Sequence, residues 1–72
     1  MMLQADGKKI SMEMARNCMD LQELVEKSGV KRTTIQRVIT ERNTRPDTLG
    51  RIARALGVDV SELIKADDRD AE

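Results

Sequence analysis

The side chains best suited to chemistry fall in one short window. Arg32, Thr33, Gln36, Arg37 and Thr40 share the outer face of a predicted helix over about residues 32–41, with Lys31 just before it, and that face is read as free of acid. A guanidinium can pair bidentately with guanine, a glutamine amide with adenine, and a threonine methyl can rest on the thymine methyl, so these residues match base edges in kind. Arg42, Asn43, Thr44 and Arg45 follow, a polar stretch ending at Pro46 that offers arginines and backbone amides to phosphate oxygens. Two bland alternatives carry the same residues: a solvated helix face and a polar connector.

The elements that must hold this window in place are legible around it. Asp20 stands at a helix N-cap and Glu23 completes a capping-box spacing, while Met19 and Leu24 have the spacing of a hydrophobic staple. Leu21, Leu24, Val25 and Ser28 then mark one face, with Gln22, Glu23, Glu26 and Lys27 toward water. Gly29 can take the left-handed conformation that ends a helix, and Val30 supplies the accompanying apolar contact. The next helix turns Ile35, Val38 and Ile39 inward. Two helices joined by a short glycine-containing turn make a helix-turn-helix, whose second helix can enter a DNA major groove.

Support for the hairpin comes from both sides. Asp6 is a plausible cap for a helix running to about Asn17, with Ile10, Met14, Ala15 and a half-buried Cys18 on its inner face. Asn43 tolerates a left-handed turn, and Pro46, Asp47 and Thr48 announce another helix start. Leu49, Ile52, Ala53 and Leu56 form an apolar stripe, and Gly50 within it suggests close approach of a neighbouring backbone, since glycine costs a helix about 1 kcal/mol relative to alanine. Gly57 ends that helix. Asp59 with Glu62 repeats the capping spacing and Val58 with Leu63 the staple, which predicts a short fifth helix reaching about Lys65. Val60 and Ile64 are candidate dimer contacts, with closure of the core as the competing role. Residues 1–5 are expected to be a flexible N-terminus, 6–65 the domain, and 66–72 a disordered acidic tail.

Composition narrows the function classes. Seventy-two residues, 39% hydrophobic and 36% charged, suit one small all-α domain of five helices. With no histidine and one cysteine, neither an internal disulfide nor a Cys/His zinc site can be assembled, no base exists to activate Cys18, and no cofactor is implied; an enzyme is not expected. The absence of Phe, Tyr and Trp removes the stacking platforms that grip unpaired bases, which favours a duplex over a single strand. No apolar run approaches a membrane span and MMLQADGKK lacks the apolar region of a signal peptide, so a cytoplasmic location and no membrane partner are expected.

Net charge is zero, but its distribution is uneven. Residues 31–54 hold seven cations against two acids, whereas 1–30 sum to −1 and 55–72 to −4. A basic block centred on the outer helix face and the stretch after it suits a phosphate backbone.

Met19-Asp20-Leu21 through Gly29-Val30, Thr34-Ile35, Arg45-Pro46 and IARALGV followed by Leu63-Ile64 together resemble the lambda-repressor/Cro (XRE-like) family of helix-turn-helix regulators, over about residues 6–65. The resemblance implies a five-helix domain that docks, usually as a two-fold dimer, on a pseudo-palindromic operator. Carried onto this chain, it makes Lys31, Arg32, Thr33 and Arg37, with Gln36, the base-reading positions. It assigns phosphate contacts to the Arg42–Arg45 stretch and the N-terminus of the second helix. Three departures from the family pattern stand out. Leu21 stands where many relatives have a glutamine that holds a phosphate and braces the recognition helix. Met14 and Ile39 stand where many have a buried arginine–glutamate pair, and Lys31 replaces a serine or threonine cap. A lysine there forgoes about 1 kcal/mol of capping and opposes the helix dipole, which points to a use for its charge on DNA. The leading expectation is a transcriptional regulator, most simply a repressor; the alternative is an antitoxin or another protein-interaction module on the same fold, with a protein partner.

Overall fold

A computed structural model describes residues 3–41 and 43–64. Its helices begin and end where side-chain chemistry directs. Asp6 accepts from the Lys8 and Lys9 amides at 3.1 and 3.3 Å and starts α1 (Gly7–Arg16). Asp20 accepts from the Glu23 amide at 2.8 Å and starts α2 (Leu21–Ser28), which Gly29 ends at φ 72°. After α3 (Arg32–Glu41), Pro46 opens α4 (Pro46–Leu56) at the position where its missing N–H costs nothing, and Gly57 closes it at φ 75°.

The helices bury one stripe each. α2 packs chiefly on α4 and α1 on α3, around fully buried Ile10, Leu24, Ile35, Leu49, Ile52 and Leu63. The Met19–Leu24 staple and the whole Leu49, Ile52, Ala53, Leu56 stripe lie in this core. Met14 and Ile39, which stand where the resemblance implies an ion pair, are half-buried and pack against it. Apolar contact in place of a buried ion pair is often neutral or stabilising.

Five expectations are corrected. The fifth helix is a 3₁₀ turn over Val60–Glu62, leaving four α-helices. Asp59 caps the Ser61 amide at 3.0 Å, and the Glu62 and Leu63 amides reach back only three residues, to the Asp59 and Val60 carbonyls. Leu63 then plunges into the core and ends the turn. At the other end, part of the segment expected to be flexible is built in. Leu3–Gln4 form β1, antiparallel to β2 (Asn43–Thr44) with Leu3 opposite Thr44 and Gln4 opposite Asn43; Ala5 is fully buried and bridges Ile64. Asn43 is therefore extended rather than left-handed.

On α1, Ala15 and Cys18 are exposed rather than facing inward. Cys18 takes φ 51° just past the helix, its amide bonding the Ala15 carbonyl and the Met19 amide the Met14 carbonyl, the pairing that ends a helix in a left-handed residue. The close backbone approach expected at Gly50 occurs at Gly7 instead. A Cβ on Gly50 would meet nothing within 4 Å, whereas one on Gly7 would collide with the carbonyl oxygen of Ile39, where α1 lies against α3. The acidic tail, 66–72, lies outside the described residues, as do Met1, Met2, Arg42 and Lys65.

Candidate nucleic-acid interface

The presentation of α3 is set by the turn before it. Ser28 donates its hydroxyl to the Leu24 carbonyl and accepts from the Val30 amide at 3.1 Å, so one side chain fastens both sides of Gly29. Val30 is buried, and Ile35 and Val38 seat α3 on the core. The opposite face is left to water: Lys31, Arg32, Thr33, Gln36 and Arg37 are all exposed. Lys31 lies just outside the helix, its carbonyl accepting from the Ile35 amide at 3.0 Å. The first turn of α3 contains no acid, so the Lys31 charge and the helix's free amide end coincide.

Two of the arginines are held. Arg32 Nη2 donates to Gln22 Oε1 at 2.8 Å, and Gln22 Nε2 donates in turn to Glu26 Oε2 at 3.2 Å. A link between α2 and α3 thus comes from Gln22, the residue after Leu21, whose amide also bonds Glu26. Arg37 Nε lies 3.5 Å from Glu41 Oε2, with both side chains about two-thirds exposed (69% and 64%). The acid-free outer face is accordingly corrected: Glu41, in the last turn, leans beside Arg37. An exposed pair of this kind is worth at most about 1 kcal/mol, less than a bidentate base contact, so Arg37 remains available.

The connector after α3 brings the second group of residues to the first. A cleft of about 320 Å³ is walled by Thr34 and Arg37 from α3, by Asn43 and Arg45, and by Thr48 from α4, with Val38 and Thr44 at its floor. Asn43 and Arg45 are exposed, but Thr44 is 3% exposed and its hydroxyl faces the Arg45 carbonyl at 3.3 Å, so its side chain is withdrawn from the expected phosphate set. Arg42 falls outside the described residues. Arg45 occupies the N-cap of α4 without a side-chain cap bond, so the first amides of that helix lack a side-chain partner, and Asp47 stands in the first turn. From sequence, Thr48 reads only as part of a helix start and Thr34 only as part of the family resemblance; their closeness to Arg37 and Arg45 becomes meaningful only once α3 and α4 meet. At the N-terminus of α2, also expected to meet phosphate, the Asp20 carboxylate already occupies the Glu23 amide.

Residues 9–69 match the family model of the Cro/C1-type HTH DNA-binding domain, well over half of the chain. The chain belongs to this family. It is a helix-turn-helix DNA-binding domain of the transcription-regulator class, and its partner is double-stranded DNA. Among curated proteins no match is found. In this Cro/C1-type domain no described helix is long and apolar enough to cross a membrane, and no group of three or more potential metal ligands occurs among the described residues.

Proposed function

We propose that the chain reads duplex DNA sequence-specifically by laying α3 in the major groove, and represses transcription by occluding promoter DNA. Lys31, Arg32, Thr33, Gln36 and Arg37 read bases, while Asn43 and Arg45 hold phosphate. The observation that carries this reading is the shared cleft: Arg37 on the exposed helix face and Arg45 on the connector line one open groove, so base and backbone can be engaged together. Selection of bound sites from random duplex DNA, at a stated salt concentration, tests it. Enrichment of a pseudo-palindrome with half-sites about one helical turn apart is expected. Recovery of unrelated sequences would leave only charge-driven binding.

We infer further that two copies pair on the operator through Val60 and Ile64. Both are half-buried and pack against the core, which leaves each a partly open apolar edge. Val60→Asp should reduce the mass of the protein on operator DNA to that of one copy in sedimentation. An unchanged mass with a lowered melting temperature would assign both side chains to the core instead.

A further inference from the structure

The segment proposed to hold phosphate is not a free loop. Asn43 and Thr44 pair, strand to strand, with Gln4 and Leu3, some forty residues earlier in the chain. That N-terminal strand is itself fixed from behind: Ala5 is fully buried and bridges Ile64, and the Asp6 amide donates to the Leu63 carbonyl at 2.7 Å. Strand alternation along the connector buries Thr44 and turns Asn43 and Arg45 outward to the cleft.

We propose that β1 is a splint that positions the phosphate-holding connector. This rests on the reading of Asn43 and Arg45 as phosphate contacts. Ordering a short connector at the moment of binding costs backbone and side-chain entropy that is subtracted from affinity. With β1 in place, the ordering is done when the protein folds, and Asn43 and Arg45 meet the DNA already set at the edge of the groove. Because phosphates are alike in every sequence, the splint raises affinity for all duplexes by one factor and leaves base preference alone.

The test uses the full chain with Leu3→Pro. Alternate residues of a strand face alternate neighbours: the Asp6 amide bonds the Leu63 carbonyl, so the Gln4 amide lies on that side and the Leu3 amide faces β2, opposite Thr44. Proline at position 3 removes that amide. Leu3→Val, a good strand former, serves as the conservative control, and Leu3→Gly loosens the strand without removing its amide. Hydrogen exchange at the Thr44 amide reports the ladder, and thermal melting reports the fold. Leu3→Pro should speed exchange at Thr44, keep a cooperative melt, and lower affinity for selected and random duplexes by the same factor, about three- to ten-fold, with a shallower salt dependence. Leu3→Gly should do the same to a smaller extent, and Leu3→Val should bind as wild type does. Wild-type affinity with an unprotected Thr44 amide would overturn the splint, as would a loss confined to the selected duplex. Should Leu3→Pro fail to fold, the Leu3→Gly result decides in the same terms. Arg45→Ala separates the two levels: if it leaves all duplexes unaffected, the phosphate reading fails, and if it weakens all of them while Leu3→Pro does not, the splint alone fails.

Discussion

Gly7 and Gly50 both sit in helices, yet their surroundings give them opposite values. At Gly7 the missing Cβ is what lets α1 touch the α3 backbone at Ile39, with the Ile39 carbonyl carbon and Cα each 3.1 Å from where that Cβ would stand. Gly7→Ala should therefore force α1 and α3 apart and destabilise the fold by about 1–3 kcal/mol, the usual range for overpacking. Gly50 faces open space with an ordinary helical backbone, so Gly50→Ala should stabilise by up to about 1 kcal/mol through helix propensity and unfolded-state entropy. Denaturant melts of the two variants should move in opposite directions; a shared direction would contradict the packing at one of them. The arginines show a similar dependence on neighbours. Arg32 and Arg37 carry the same charge on one helix, but Arg32 is tied to the neutral Gln22 amide and Arg37 to the Glu41 carboxylate. Both contacts leave guanidinium donors free: Gln22 accepts from Nη2 of Arg32, and Glu41 lies beside Nε of Arg37, away from its Nη pair.

At the scale of elements, the 3₁₀ turn offers a titratable probe. The Ser61 hydroxyl, and after it the Ser61 amide, hold the exposed Asp59 carboxyl below the usual carboxylate range. A depressed native pKa stabilises the fold above the unfolded-state pKa, and that contribution is lost as pH falls through the native value. Ser61→Ala should raise the Asp59 pKa toward the ordinary range in an NMR titration and narrow this acid window; an unmoved pKa would dismiss the hydroxyl as its cause. The elements differ in how far sequence exposes them. Stripes such as Leu49, Ile52, Ala53 and Leu56, and caps such as Asp6, Asp20 and Gly29, are set within a few residues and were legible. The β1–β2 pair was not, because two-residue strands carry no periodicity and their partners are remote in the chain. The fifth helix was misread because Asp59 and Glu62 have capping-box spacing, while the bond that forms is one residue shorter, to Ser61. The candidate site divides the same way. The exposed row on α3 follows from helical spacing, but the Gln22 link, the Glu41 partner and the cleft with Thr34 and Thr48 arise only when elements meet.

At the scale of the whole molecule, a chain of zero net charge concentrates its cations in the stretch that contains α3. Seven of its thirteen lysines and arginines lie within residues 31–54, the span of α3, β2 and α4. The core behind them is wholly aliphatic apart from Met19, and it fixes α3 against both α1 and α2. In the proposed reading, recognition divides into a phosphate term common to every duplex and a base term that depends on α3. The affinities of wild type and Arg37→Ala for a selected site and for random duplex DNA, measured at one salt concentration, separate the two. Loss of a bidentate base contact should weaken the selected site by about 1–3 kcal/mol, with a much smaller loss on random DNA, and relax preference at one position of each half-site. Equal losses on both duplexes would show that Arg37 contributes charge alone, and the reading of α3 as the base-reading helix would be contradicted.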